Sequence, residues 1–491
     1  MRTPDFPGLR PYLAPMGSRV RKAARTLEKA TLSGIEDHLW PALGTALLDK
    51  PSGKHHSRRR IFTLTRTFWC WIWQILQGNT SCREVVRQVQ ILFAIHDKGR
   101  TPDRETGAYC RARQKIADIL LDRLLTCSQQ SAEAASSPGS LLQGRPLKMV
   151  DGSSVRVPDT AANRRAFPSS KNQFGKPSFP LLKMVVLFSA ASGAILARVV
   201  GNFLQSELRL FLELAGALKP GDILGTDRHF GNYLTAARVR ELGVDLVARL
   251  ATRSRKVDFR QAHRRLGRND AVFLWRKPKK PSPLLSAREW KALPETQLVR
   301  VLRFRLSCAG CRTSEIVLMT TLLDPELYPA EEILAAYGKR WRLEMCLDDL
   351  KTTLGMEMLS CLSPDMLRKE LTVFLIAHNL VRWMMAQAAG PGKVELDRIS
   401  FKGTLDGFRQ LSVGAAQIRG PGRKKRVKAL WQQFLEIVAS DQVPLRPGRQ
   451  EPRAVKKRSK YAVLNKLRRA FRERWSRNKR RRVANAKRAA A

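Results

Sequence analysis

The stretch from residue 145 to residue 250 constrains the fold more than any other part of the chain, because strand-like and helix-like runs alternate along it. Arg145–Asp159 (RPLKMVDGSSVRVPD) alternates as a strand does, and Leu181–Val200 reads as a hairpin with Ser192-Gly193 at its turn. The units that follow are a helix at Ser206–Leu218, a strand at Asp222–Asp227, a helix at Asn232–Leu242 and a strand at Asp245–Leu250. This order predicts an α/β fold with a mixed sheet and helices packed on it.

The segments before this stretch read as helical. Residues 1–140 contain an amphipathic run at Tyr109–Leu125, and Ser128–Ser140 has the composition of a linker. We therefore expect a separate helical N-terminal region.

The segments after it change character twice. From Ala251 to Leu323 basic loops alternate with strand-like runs, which predicts a β-rich insertion. Helix returns at Ala330 and is expected to continue through His378 to about Gln387. We expect five regions: 1–140, 141–250, 251–328, 329–410 and a basic tail at 411–491.

The charge of the chain points to a polyanionic partner. It carries 90 Lys and Arg against 42 Asp and Glu, a formal net charge of +48. Residues 415–491 contribute 25 bases and 4 acids, a net +21, so the rest of the chain is also basic. A polycation of this size attracts nucleic acid at long range.

Several other classes of protein are disfavoured. The N-terminus has four prolines in its first sixteen residues and no apolar core of a secretory signal, and the longest apolar runs are too short for a bilayer. Eight sparse cysteines suit an intracellular protein with reduced thiols. Cys308 and Cys311 have zinc-knuckle spacing without a second pair, so an ordinary hairpin turn is favoured. No Gly-rich nucleotide-binding pattern is present, so we expect no nucleotide.

The run YGKRWRLEMCLDDLK (337–351) places a carboxylate among bases. On a helix with about 100° between residues, four side chains fall within about 60° of arc: Tyr337, Arg340, Glu344 and Lys351. A solvated face with i,i+4 charge pairs is the alternative interpretation of this stripe taken alone.

Two acids associated with strands favour a catalytic role for this stripe over a solvated face. Asp151 precedes Gly152 at what reads as a strand end, and Asp227 ends the next buried strand. Acids at the ends of adjacent strands converge at one sheet edge, and Glu344 on a helix over that edge would be a third. Three carboxylates in a basic protein predict hard divalent cations, with two Mg²⁺ ions acting on a phosphodiester.

Two substitutes for these acids are open. Asp348 lies on the same helical stripe as Glu344, although the spacing to Arg340 and Lys351 favours Glu344. Asp222 is an alternative to Asp227, but it precedes its strand.

These residues resemble a known family. Tyr337-x2-Arg340-x3-Glu344-x6-Lys351 matches in every spacing the Y-R-E-K signature of a large group of bacterial insertion-sequence transposases. These belong to the DDE class, which has an RNase H-like catalytic domain. MVDGSSVRVPDT (149–160) and ILGTDRHFGN (223–232) resemble the two aspartate motifs of that family, and AYCRARQKI (108–116) resembles a segment of its N-terminal region. The resemblance covers about residues 60–390.

The resemblance implies a DNA transposase with an RNase H-like mixed sheet interrupted by the β-rich insertion. Asp151, Asp227 and Glu344 would be catalytic and would bind two Mg²⁺ ions, with Mn²⁺ as a possible substitute. Tyr337, Arg340 and Lys351 would contact DNA. The protein would bind its element's terminal inverted repeats and target DNA, as a homodimer, in the bacterial cytoplasm at the nucleoid.

Two other functions are compatible with the same residues. One is a two-metal nuclease of the same fold that cuts without strand transfer, and the other is an inactive, transposase-derived DNA-binding protein. Trp275 and Trp290, in the expected insertion, read as core or surface aromatics and are not assigned to the site.

Overall fold

The computed structural model of the chain describes residues 35–44, 61–96, 102–136, 141–168, 179–250, 257–305, 315–418 and 420–444. Cys308 and Cys311 lie outside these ranges, as do residues 461–479, for which the sequence predicts a helix-like piece within the basic tail. No helix of the described residues is long and apolar enough to cross a membrane.

Helices form the part of the described chain that precedes the sheet. They are α1 (Ile35–Leu43), α2 (Leu64–Leu76), α3 (Cys82–His96), α4 (Gly107–Gln114) and α5 (Asp118–Ala135). The Thr63 hydroxyl accepts the Arg66 N–H at 3.3 Å and caps α2, most of which is buried. The Tyr109 hydroxyl donates to Gln74 Oε1 at 3.0 Å and fastens α4 to α2.

Two expectations for this region were wrong. The amphipathic run at 109–125 is divided between α4 and α5, which are separated at residues 115–117. The expected linker at 128–140 is helical as far as Ala135, with Ser128 and Ala132 buried. Its small polar residues therefore serve close helix packing.

The central sheet follows. Its elements are, in chain order, β1 (Leu141–Leu142), β2 (Arg145–Arg156), α6 (Ala161–Ala166), β3 (Leu181–Ser189), β4 (Ile195–Asn202), α7 (Glu207–Leu214), β5 (Ile223–Thr226), α8 (Tyr233–Glu241) and β6 (Asp245–Arg249). The predicted hairpin and the alternating helices and strands are confirmed. Each helix starts at a capping side chain, Ser206 for α7 and Asn232 for α8.

The next segment adds further strands to the same sheet. These are β7 (Arg264–Gly267), β8 (Asp270–Arg276), α9 (Ala287–Ala292), β9 (Thr296–Arg305) and β10 (Glu315–Thr320). The sheet order is β4-β3-β2-β5-β6-β10-β9-β8-β7, with β1 paired to β2. β2, β5 and β6 are parallel and the other pairs are antiparallel, so the sheet is mixed as predicted.

Helices complete the chain. They are α10 (Ala330–Gly338), α11 (Arg340–Asp348), a π-helical turn (Asp349–Thr353), α12 (Pro364–Gly392), α13 (Phe401–Gln417) and α14 (Arg423–Ser440). The predicted continuous helix from Ala330 to Gln387 is thus interrupted at Lys339 and again between residues 354 and 363. Helix α12 is almost entirely buried and packs on α5, α14 and α2.

Side chains of the sheet enter a core on each face. On one face Val150, Val185 and Leu187 pack with Leu210 and Phe211 of α7. On the other face Met149 and Phe188 line a cavity of about 200 Å³ with residues of α11 and α12. The alternation of strand side chains therefore sandwiches the sheet between two helical layers.

Candidate active site

The edge of β2 is open over a short stretch, and this gap defines the site. β2 pairs with β3 from Lys148 to Arg156, but its pairing with β5 covers only Leu147–Met149. At the far end Arg156 forms a bridge with Met358, which follows the π-helical turn. Among the described residues, none therefore pairs as a strand with residues 150–155 on the β5 side, between the end of β5 and the segment around Met358.

Asp151 lies in this gap. Its Oδ1 accepts the Gly152 N–H at 2.8 Å. Burial raises the pKa of Asp151 to about 6, the charge of Asp227 adds to this effect, and the charge of Arg340 opposes it. The expectation that β2 ends at Asp151 was wrong, because the strand continues through Gly152 to Arg156.

Asp227 directly follows β5, as predicted, and faces the same gap. Its Oδ1 accepts the His229 N–H at 2.8 Å, which closes a tight turn after the strand. Asp222, the alternative acid, is buried at the other end of β5 and forms an ion pair with Lys148 at 2.5 Å. Its role is structural.

Tyr337 and Arg340 lie beside these aspartates. Burial raises the pKa of Tyr337, the charges of Arg340 and Arg249 act against that rise, and the charge of Asp227 adds to it. The Arg340 guanidinium carbon is 5.8 Å from the centre of the Tyr337 ring. Arg340 therefore lies over the Tyr337 ring, and its charge acts on Asp151.

Glu344 is held by Arg340 at the rim of this group. The Arg340 Nη2 donates to Glu344 Oε1 at 2.9 Å, one turn along α11. Asp348 accepts the Thr352 hydroxyl at 2.9 Å instead. Within the described ranges no three His, Cys, Asp or Glu side chains are grouped closely enough to hold a metal ion. The convergence of Glu344 with Asp151 and Asp227 stays a prediction.

Lys351 falls in the π-helical turn rather than on a regular continuation of α11. Its ammonium group makes no hydrogen bond or ion pair with the described part of the chain, so it is available to a ligand. Turns of this kind are frequent at functional sites.

One acid near Asp151 was not found from the sequence. Glu207 is the first residue of α7, and its carboxylate lies against the α-carbon of Gly152. The only sequence signal is its place directly after the capping Ser206, and that signal is common to many surface acids.

The aromatic residues of the expected insertion do not join the site. Trp275 and Trp290 pack against a small cluster that contains Tyr233, Leu234 and Leu293. The Lys277 ammonium lies 5.9 Å from the centre of the Trp290 ring. This agrees with the interpretation of both tryptophans as packing residues.

A known transposase resembles this chain in sequence over most of its length. Residues 143–380 match the family model described as the transposase DDE domain. The chain is 26% identical over 445 residues to the transposase InsG for insertion sequence element IS4 of Escherichia coli strain K12, covering 89% of this chain and 94% of that protein. A solved piggyBac transposase synaptic complex with hairpin DNA is 9% identical, with a TM-score of 0.40 and 81% of each chain covered. That structural likeness is too distant to refine the fold. The chain thus resembles the transposase DDE domain over residues 143–380, and an insertion-sequence transposase over most of its length.

Proposed function

We propose that this chain is a DDE transposase that binds the ends of its own insertion sequence, cuts the DNA there and joins the freed 3′-hydroxyls to target DNA. Asp151, Asp227 and Glu344 are its catalytic carboxylates. The proposal is carried by one observation: at the open edge of β2, the pKa of Asp151 is raised by burial and further by the charge of Asp227, while the charge of Arg340 on the neighbouring helix opposes that rise.

Two Mg²⁺ ions, or Mn²⁺ in their place, suit the donor atoms of these acids. DDE transposases generally use divalent metal ions, and such hard cations prefer carboxylate oxygens. Asp151 and Asp227 each use Oδ1 to accept a backbone N–H and leave Oδ2 without a hydrogen bond to the described residues. Bound ions would activate the attacking oxygen and stabilise charge on the leaving oxygen of the phosphodiester.

Glu344 joins the two aspartates when DNA binding releases it from Arg340. The Arg340–Glu344 pair is partly exposed, at 19% and 42% of the two side chains, and such pairs contribute only about 0–1 kcal/mol. A DNA phosphate offers the Arg340 guanidinium a bidentate acceptor, which frees Glu344 to turn towards Asp151 and Asp227.

Lys351 and Tyr337 complete the contact with DNA. The free Lys351 ammonium binds a backbone phosphate as a point charge. The buried Tyr337 ring supports Arg340 and offers its hydroxyl to the same strand. These contacts position the DNA and carry no sequence information.

Each region of the chain has its own role in this function. Residues 141–250 and 329–410 form an RNase H-like catalytic domain, supported by the order β4-β3-β2-β5-β6 with its parallel centre. Residues 251–328 are the β-rich insertion. Residues 1–140 bind DNA through helices, and residues 411–491 add basic charge. The protein acts at the nucleoid in the bacterial cytoplasm.

Substitution of each acid tests the site. Asp151→Asn, Asp227→Asn and Glu344→Gln should each lower Mg²⁺-dependent cleavage by about a thousandfold, the equivalent of several kcal/mol, without loss of end binding. Asp348→Asn is the matched control on the same helix and should keep its activity. Full activity in one of the three variants removes that residue from the site. Loss of activity in Asp348→Asn with an active Glu344→Gln would make Asp348 the third acid.

A further inference from the structure

Glu207 is fixed beside the catalytic strand by the way α7 begins. The Ser206 hydroxyl accepts the Arg209 N–H at 3.2 Å and sets the first turn of the helix. A methyl group added to Gly152 would lie 2.6 Å from the Glu207 carboxyl carbon and within 2.9 Å of both its oxygens. The carboxylate thus rests directly on the α-carbon of Gly152, and a side chain at position 152 would displace it.

Asp151 reaches the same glycine from another side. The Gly152 N–H donates to Asp151 Oδ1 at 2.8 Å, at the gap where β2 has no neighbour on the β5 side. Both carboxylates therefore lie at Gly152: Asp151 accepts its N–H, and Glu207 lies against its α-carbon.

Glu207 is unpaired within the part of the chain that the structure describes. It makes no hydrogen bond or ion pair with the described residues, although the chain holds 90 Lys and Arg. Glu213 on the same helix, by contrast, has Arg209 at 3.9 Å. Two carboxylates near one glycine repel each other unless a cation lies between them.

We propose that Glu207 is a further metal-ligating residue of the active site, and that it binds a divalent cation together with Asp151 at the open edge of β2. Its three side-chain torsions allow the carboxylate to turn from Gly152 towards Asp151, whose own position is fixed by the strand. Gly152 provides the room for this acid. The inference rests on the proposed function, because it uses the same metal site.

Binding of Mn²⁺ alone to the full-length protein, without DNA, tests the inference. Free Mn²⁺ is followed by electron paramagnetic resonance in the parent, Glu207→Gln, Asp151→Asn and Glu213→Gln. Glu207→Gln should weaken Mn²⁺ affinity about tenfold or more, and Asp151→Asn should weaken it at least as much. The matched control Glu213→Gln, an exposed acid on the same helix, should bind as the parent does.

A second variant guards against a folding defect. Glu207→Asp keeps the negative charge at the start of α7 but withdraws the carboxylate by one methylene group. It should also lose about tenfold in Mn²⁺ affinity, with an unchanged melting temperature without metal.

The outcomes separate the two proposals. Parent-like affinity in both Glu207 variants, with loss in Asp151→Asn, overturns the role of Glu207 and leaves the proposed function intact. Parent-like affinity in Asp151→Asn as well would show that the metal site itself is wrongly placed.

Discussion

Asp151 is a partly buried carboxylate whose ionisation lowers the folding stability of the metal-free protein. Its pKa is raised to about 6 from an ordinary value of 3.8, chiefly by burial. At neutral pH it is nonetheless mostly ionised, which is the form that a metal ion needs. The side chain is therefore kept in an environment that favours its protonated form unless a cation is bound.

Asp151→Asn should stabilise the metal-free protein at neutral pH. The folded-state pKa lies above the unfolded one, so the unfolded chain releases this proton first, and the parent loses stability as the pH rises from about 4 to about 6. Asn has no such proton. The variant should exceed the parent by about 1–3 kcal/mol above pH 6 and lose that advantage below about pH 4.

Denaturant unfolding in EDTA at a series of pH values measures this difference. Asp222→Asn is a useful contrast, since Asp222 is paired with Lys148 and its substitution should destabilise the protein at neutral pH. A gain for Asp151→Asn that is equal at pH 4 and pH 7 would contradict the electrostatic explanation.

At the scale of elements, the β3–β4 hairpin is clamped to α12. The Asn379 side chain accepts the Ile195 N–H at 2.8 Å and donates to the Ile195 carbonyl at 3.0 Å, and Arg382 Nε donates to the Ser192 carbonyl at 2.7 Å. Gly193 sits at the turn with a φ of +69°. These hydrogen bonds hold the sheet against the longest helix and so fix the position of β2.

Gly193→Ala should weaken the attachment of the β3–β4 hairpin to α12. The positive φ disfavours any residue with a β-carbon, and an added methyl would lie 2.6 Å from the Arg382 guanidinium carbon. We expect a loss of roughly 2–4 kcal/mol in the free energy of unfolding.

Gly216→Ala is the matched control. No described atom outside its own turn lies within 4 Å of its added methyl, and its φ is not in the left-handed region. Its stability should stay within about 0.5 kcal/mol of the parent in the same chemical denaturation. Equal stability of Gly193→Ala would show that the turn and Arg382 can both move at little cost.

At the scale of the whole molecule, the described part of the basic tail is chiefly the helix α14. The sequence favoured weakly packed helices throughout residues 415–491, with capping of the core as the alternative for the first segment. The structure supports the alternative for α14, whose Phe434, Leu435 and Val438 are buried, while its bases at 423–426 and 428 are exposed.

Deletion of residues 454–491 should leave folding intact and weaken DNA binding without regard to sequence. The segment carries 16 bases and one acid. For every phosphate that these bases neutralise, the deletion should make the slope of log affinity against log salt shallower by about 0.9. Fluorescence anisotropy with element-end and random duplexes at several salt concentrations measures both effects.

Truncation after Gly414 is the contrasting variant. It removes α14 and uncovers the buried side chains of Phe408 and Trp383, so it should unfold the protein or strongly destabilise it. If the shorter deletion unfolds the chain as well, or weakens binding only to the element's ends, the electrostatic account of the tail is wrong.

Assembly on DNA is the other property of the whole molecule. Cutting two element ends together needs two active sites, so we expect a homodimer when end-containing DNA is bound. Light scattering with and without this DNA should show two protomers per paired complex. A complex in which one protomer pairs and cuts both ends would contradict the predicted homodimer.

Much of the sheet and the Arg340–Glu344 pair on α11 could be read directly from the chain. Period-two apolar runs and capping residues such as Ser206 and Asn232 are local signals, and the structure follows them. The spacing from Tyr337 to Lys351 also carries the family resemblance, because every residue of the signature lies on one short segment.

Interactions between segments distant in sequence decided the rest. Ser128–Ala135 has a linker composition, yet packing on α12 keeps it helical. Gly152 resembles a strand end, yet pairing with Val185 carries β2 past it. The gap beside Asp151 exists only because β5 stops at Thr226, and Glu207 reaches Gly152 only because α7 packs on β3 and β4. Local sequence thus determined which residues could act, whereas tertiary packing decided which of them meet, since burial and strand pairing depend on segments far apart in the chain.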